Sequence, residues 1–324
     1  QTCPSYFKWI EHDLAPWKGG ITRKALEAGK EKAYFRVIIL GGKLYTQTYK
    51  QCFQTRAEYT LKGLAMLLNK FPGMVPDVDI MFNCQDHPLV PRWRYLFTSP
   101  PPVFGYCTTR NRHYDIVFPD WSIWGWPEVN ILPWSIESER IFTEAEKIDW
   151  FRRKPIAYWR GNTQMGLIRS NLVKCNSTNI LIQHQDWITE EKANFTNSDL
   201  SNQCFSRYKI YAEGNAWSVS LKYILSCGST MLRIEPYYWD FFSRSLLPHV
   251  HFLPITRENI CDSIQEAIQW SNSNIYKAAM VGKCGQNFLK EQLSTDYVYQ
   301  YMLHILQRYA KLQKFKPVLV PGMK

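Results

Sequence analysis

Two apolar-rich runs between residues 34 and 48 are broken only at Gly41-Gly42, and paired glycines there predict a β-hairpin, because a tight reversal needs left-handed backbone. From 55 to 70 the positions Tyr59, Leu61, Leu64, Ala65 and Leu68 fall on one helical face, and Pro72-Gly73 ends the helix. Ile80-Met81-Phe82 predicts a buried strand directly afterwards. Two short strands, Val103 to Tyr106 and Tyr114 to Phe118, lie in a stretch from Pro100 to Trp134 dense in proline and tryptophan, as suits loops that contact a substrate.

The second half alternates. The pattern predicts a strand at 156 to 160, a helix at about 164 to 174, strands at 179 to 183 and 207 to 212, a helix at 216 to 226 and a strand at 229 to 234. Such alternation marks a parallel α/β domain. Near the end, Val298, Met302, Ile305, Tyr309 and Leu312 form one apolar helix face that must pack on something. With 324 residues the chain exceeds one compact domain, so we expect two domains sharing a cleft. Their expected bounds are 1–150 and 151–295, with a helix over 296–324 packing back across them.

Composition narrows the partners. The chain has 13 Trp, 19 Tyr and 17 Phe, rings that suit sugars and nucleobases as well as a core. A formal charge of +11 favours an anionic partner such as a nucleotide, a phosphate or an acidic polysaccharide. No long basic run and no nucleic-acid module is present, so nucleic acid is not expected. Nine cysteines without a CxxC or a Cys/His zinc spacing argue against a structural metal. Two sequons, at Asn176 and Asn194, point with the cysteines to a secretory compartment in which several cysteines pair and one is left over. No run of about 18 apolar residues exists, so no membrane span is expected within the chain. A start at Gln1 instead of Met leads us to expect a trimmed chain whose signal or anchor has been removed.

Several segments carry candidate site residues. Asp86, just past the strand at 80 to 82, is a candidate general base, although its position alone favours the plainer role of fixing a turn before His87-Pro88. Arg160, Gly161 and Asn162 end a strand directly before a helix, where a cation and backbone amides could face an anion. A second such junction runs from Glu213 and Gly214 through Trp217, Ser218 and Ser220 to Lys222; Ser218 could equally be a plain helix cap. Asp77-Val78-Asp79 has the look of a metal-binding aspartate pair, yet it precedes its strand, which favours a loop entering the sheet. Trp121, Trp124 and Trp126 are candidates for stacking on sugar rings, with core packing the alternative. His249 and His251 lack a third ligand and are read as structural or surface residues.

Five ordered segments together resemble the Rumi-like protein O-glucosyltransferases of glycosyltransferase family 90, and most of all its plant members: NCQDHPLVPRW (83 to 93), YDIVFPDWSIWGWPEV (114 to 129), AYWRGN (157 to 162), RYKIYAEGNAWSVSLKYILSCGS (207 to 229) and YWDFFSRSLLPHVHFLPI (238 to 255). The resemblance covers nearly the whole chain. It implies a GT-B fold of two Rossmann-like domains facing a cleft, and inverting, metal-independent transfer from a UDP-sugar, without a cofactor, in the lumen of the endoplasmic reticulum or Golgi. By position in the motifs, Asp86 matches the catalytic base, while Arg160 and the 213 to 222 segment match donor-binding elements. Cys204 and Cys227 match a cysteine pair of the family, so the resemblance implies a disulfide that braces the donor site. One departure stands out: animal members carry arginine at the positions of Glu213 and Ser220, leaving Lys222 and Arg160 as the expected sources of positive charge. The donor is expected to be UDP-xylose or UDP-glucose, and the acceptor a glycan, such as a plant cell-wall polysaccharide, or a glycoprotein. The rival from another class is a non-catalytic carbohydrate-binding or scaffold protein on a retained fold, which would bind glycan without releasing UDP.

Overall fold

A computed structural model describes residues 3–324. In chain order, α1 (Lys8–Leu14) and α2 (Arg23–Glu27) precede the hairpin β1 (Phe35–Leu40) and β2 (Lys43–Thr48), the helix α3 (Arg56–Lys70) and the strands β3 (Val78–Phe82), β4 (Val103–Gly105), β5 (Thr108–Thr109) and β6 (Ile116–Val117). Next come α4 (Trp134–Glu146), β7 (Lys154–Gly161), α5 (Leu167–Leu172), β8 (Ile180–His184), α6 (Trp187–Lys192), β9 (Ser206–Tyr211), α7 (Ser220–Ser226) and β10 (Thr230–Ile234). β11 (Tyr238–Trp239), β12 (Leu253–Ile255), α8 (Ile260–Ser273), α9 (Ile275–Gln292) and α10 (Thr295–Leu312) complete the chain.

These elements form two compact α/β units. Unit 1 holds the residues up to Glu128 with Tyr238–Arg244 and Thr295–Lys324, and unit 2 holds Val129–Tyr237 and Ser245–Ser294. The division falls at 128/129, short of 150, because α4 packs on α7 within unit 2. The chain re-enters unit 1 where β11 pairs antiparallel with β5 and Arg244 donates two 2.6 Å hydrogen bonds to the buried Asp13 carboxylate. Helix α10 packs on α1, α3 and β3, all within unit 1.

The sheet of unit 1 runs β2-β1-β3-β4-β6, antiparallel across β2, β1 and β3 and parallel from β3 to β6. Gly41 and Gly42 sit at φ +57° and +73°, the left-handed turn that the hairpin requires. Helix α3 forms where periodicity places it, but on a different face. Its buried residues are Arg56, Thr60, Gly63, Leu64 and Leu67, while Tyr59, Leu61 and Leu68 are half-buried and Ala65 is exposed. Polar Arg56 and Thr60 turn inward to make specific hydrogen bonds, and Gly63 admits the Trp124 indole: a Cβ at Gly63 would lie 2.2 Å from Trp124 Cε2.

Unit 2 carries a wholly parallel sheet in the order β12-β10-β9-β7-β8. Read from β8, this is the doubly wound order 2-1-3-4-5, whose direction of progression reverses between β7 and β9. Ala157, Ile180, Ile210, Leu232 and Leu253, one from each strand, join its core with Ile264 and Ile268 of α8 and Ala278 of α9. Helices on the faces explain why these strands read as continuous apolar runs.

Candidate active site

In unit 1 the Cys52–Cys84 disulfide ties the chain just before α3 to the chain just after β3. That link brings Arg56 to Asp86. Arg56 Nη1 donates to Asp86 Oδ1 at 2.8 Å and to the Cys84 carbonyl at 3.2 Å, while its guanidinium lies 4.3 Å from the Trp121 ring and 5.2 Å from that of Phe53. A planar cation held by rings and by a carbonyl has little freedom, so it fixes the carboxylate it binds. The Asp86 side chain remains 32% exposed, and among the described residues no donor reaches Oδ2. One oxygen is thus oriented and the other is open to an incoming hydroxyl.

The loop around Asp86 is built by side chains that replace a regular ladder. Asn83 accepts from Gln85 N at 2.9 Å and donates to the His87 carbonyl at 2.9 Å. Asp115, fully buried, accepts from Leu89 N at 2.7 Å and Val90 N at 2.9 Å. Burial pushes the Asp115 carboxyl up to about 7, against the opposing pull of those two amides. The Cys107 thiol donates to the Asp86 carbonyl at 3.2 Å. Asp86 therefore lies at the end of its strand as expected, with a cationic partner the sequence did not disclose.

In unit 2 the ends of β7 and β9 are the two sides of the point where strand order reverses, the place where open α/β sheets bind their ligands. Gly161 ends β7 here and Asn162 follows it, while Glu213 and Gly214 lie just past β9. The two turns touch: a Cβ on Gly166, at φ +84°, would stand 2.4 Å from the Gly214 carbonyl oxygen. Arg169 of α5 ties them together, its Nε donating to Glu213 O at 3.1 Å, Nη1 to Asn162 O at 3.4 Å and Nη2 to Ser218 Oγ at 3.2 Å. Ser218 Oγ lies 2.8 Å from Ser220 Oγ and accepts from Ser220 N at 3.4 Å.

Other expected donor residues are placed differently. Helix α7 begins at Ser220, four residues later than predicted, since Gly214 N bonds to the Ala216 carbonyl and holds 214–219 as a loop. The Arg160 cation is paired with Glu190 at 2.6 Å and bonded to Gln185 at 3.1 Å. Lys222 is buried on α7 with its ammonium 3.3 Å from the Val219 carbonyl and 4.5 Å from the Tyr223 ring. Glu213 is buried and bound by Arg257, and it accepts from Tyr237 N at 3.1 Å. Trp217 is buried beside it in the same loop. Arg169 and Arg257, neither singled out in the sequence, are the cations at this junction.

Trp121 and Trp124 are buried, the first under Arg56 and the second bonded to Tyr299 Oη at 3.1 Å, so neither ring presents a face for a sugar. Trp126 keeps partial exposure, with Nε1 donating to Gln54 at 2.8 Å. Asp79 lies inside β3, not in a loop before it, and Arg36 grips both its oxygens at 2.7 Å; Asp77 accepts from Gly41 N at 2.7 Å. Both carboxylates thus hold the hairpin. Among the described residues no cluster of three His, Cys, Asp or Glu side chains is arranged to hold a metal ion. His251 accepts from Leu247 N at 2.9 Å and His249 adopts φ +60°, consistent with turn residues.

The disulfide between Cys204 and Cys227 is present and clamps the start of β9 to the end of α7. A third joins Cys175 to Cys261. Cys3, Cys107 and Cys284 lie outside these three disulfides, where one cysteine was expected to; Cys107 is buried against the Asp86 loop and Cys284 lies partly covered on α9. Asn194 is exposed at φ +48°, whereas exposed Asn176 is pinned by hydrogen bonds to Ile182 N and O.

Residues 1–324 match the model of glycosyl transferase family 90. The chain belongs to this family. The family 90 transferase is 27% identical over 334 residues to human protein O-glucosyltransferase 1, covering 97% of this chain and 82% of the relative. It is 24% identical over 332 residues to O-glucosyltransferase rumi of Drosophila melanogaster, covering 97% and 78%. Among solved structures, the Anabaena protein Alr3699/HepE in complex with UDP-glucose superposes with a TM-score of 0.35 and 10% identity over 54% of this chain and 53% of that one. No helix among the described residues of the transferase is long and apolar enough to cross a membrane.

Proposed function

We propose that this glycosyl transferase moves a sugar, xylose or glucose, from a UDP-sugar to a hydroxyl of a glycan or glycoprotein, with inversion and without a metal ion. Asp86 removes the acceptor proton as the oxygen attacks the anomeric carbon from the side opposite UDP. Charge growing on the departing diphosphate is met by Arg169 and by the amides and hydroxyls of the 213–220 turn. Arg257 keeps the Glu213 carboxylate neutralised, so that it does not repel the diphosphate.

The observation that carries this reading is the Asp86 carboxylate, one oxygen held by a buried arginine and the other open. A carboxylate that fixes a turn accepts from backbone amides, as Asp115 and Asp77 do, whereas among the described residues no backbone amide donates to Asp86. Names of the relatives support glucosyl transfer, and three disulfides support an oxidising, secretory compartment. The test is UDP release from a panel of UDP-sugars, with and without EDTA, in the presence of cell-wall oligosaccharides. Release from one donor, indifferent to EDTA, is expected; release only with added manganese would overturn the metal-free mechanism, and release from none would overturn the donor assignment.

A further inference from the structure

Just beyond the Asp86 loop, two short loops of unit 1 are joined side by side. Pro91 bridges to His113, Arg92 N donates to the Arg112 carbonyl at 2.8 Å, and Arg92 Nε donates to the His113 carbonyl at 3.2 Å. Arg92 also lies over the Tyr114 ring at 4.7 Å, so its guanidinium is fixed in place. The pair of loops carries Arg92, Arg94, Arg110 and Arg112, and its one carboxylate, Asp115, is buried with both oxygens given to backbone amides. Among the described residues, Arg92, Arg94 and Arg110 enter no ion pair. His113 reports the resulting field: burial, then Arg112, His87 and Arg92, hold its pKa below the usual value.

Between the arginines stands Trp93, 67% exposed, with Arg94 over its ring at 5.1 Å. An indole that exposed beside one fixed cation, Arg92, and a second that enters no ion pair, Arg94, is a surface open to a partner. Arg92 follows Asp86 by six residues, so the chain itself keeps them within roughly 20 Å.

We propose that these bridged loops are an acceptor platform for an acidic glycan. The arginines pair with uronate carboxylates through two-pronged hydrogen bonds, and Trp93 stacks on a pyranose ring. The platform deepens the functional reading above and rests on it, since it selects the chain whose hydroxyl Asp86 deprotonates. A glycan fits better than an acidic polypeptide because an exposed flat indole stands next in the chain to Arg92 and Arg94, the combination that a charged sugar ring fills with its face on the indole and its carboxylate on a guanidinium. It fits better than a lipid surface because Arg92 is fixed to backbone and ring, which a fluid headgroup layer does not require.

The test measures binding of an oligogalacturonide and of its carboxyl-reduced counterpart to the full chain, with UDP release into water followed in parallel. The variants are Trp93→Ala and the double variant Arg94→Gln/Arg110→Gln, whose side chains support no backbone contact. Wild type should prefer the acidic form and lose that preference in high salt. Arg94→Gln/Arg110→Gln should weaken binding of the acidic form by roughly tenfold or more, as expected for lost charge-assisted contacts, Trp93→Ala should weaken binding of both forms by roughly several-fold through lost stacking, and UDP release should stay unchanged in each. Equal binding of the carboxyl-reduced form, indifference to the variants, or displacement of the glycan by polyglutamate or anionic lipid vesicles at equal charge would overturn the proposal. If no UDP-sugar yields UDP, the transferase reading fails, and the binding comparison still decides the platform.

Discussion

Arg56 is the residue on which the orientation of Asp86 depends. It is buried, it meets a carboxylate that is only partly exposed, and it is held by Trp121, Phe53 and a carbonyl. Replacing it with alanine should lower kcat by roughly 10- to 100-fold with little change in the KM for the donor, because the carboxylate remains but is no longer aimed. The loss of a charge-assisted hydrogen bond should also cost about 1.5–3 kcal/mol of stability, read by denaturant unfolding. A KM increase at constant kcat would assign Arg56 to binding instead. Arg169 should behave oppositely: Arg169→Ala should weaken UDP binding by roughly tenfold, whereas Arg160→Ala should change it less, since Glu190 already neutralises Arg160. Equal effects in a UDP titration would contradict that distinction. Asp86 itself could be singled out from its place after an apolar strand, but its arginine could not, because thirty residues and a disulfide separate the two in the chain.

At the scale of elements, the hairpin, β3 and the alternation from β7 to β10 were legible because apolar runs and paired glycines act locally. The buried face of α3 was not. Periodicity counts apolar residues, and this helix buries Arg56 and Thr60 for hydrogen bonds that only the fold reveals. The order of the parallel strands is likewise tertiary, so the reversal between β7 and β9 gave Arg169 no signal in the sequence beyond being one basic residue of a short helix. Strand β9 makes a separate prediction. Burial lowers the Lys209 ammonium from 10.5 to about 7, with Arg153 adding to the shift. Between those values the unfolded chain binds a proton that the folded chain does not, so stability should rise with pH from about 7 towards 10.5, and below 7 the full cost of the buried charge is present. Lys209→Met should flatten that rise, as measured by urea midpoints across pH; an unchanged pH profile would show that Lys209 is not the source.

For the whole molecule, two α/β units and a family match from the first residue to the last agree with a glycosyl transferase of family 90. The surplus of 39 Lys and Arg over 28 Asp and Glu has a structural address in part: Arg92, Arg94, Arg110 and Arg112 lie on two joined loops. What composition could not tell was which aromatic rings are core, since Trp121, Trp124 and Trp93 read alike in sequence and differ only in burial. The most direct test compares wild type with Asp86→Asn, measuring UDP affinity and sugar transfer on the same folded preparations. The account predicts unchanged UDP binding with transfer reduced by roughly 10²–10⁴-fold, the contribution of a general base. Transfer at the wild-type rate by a folded, UDP-binding Asp86→Asn protein would contradict it.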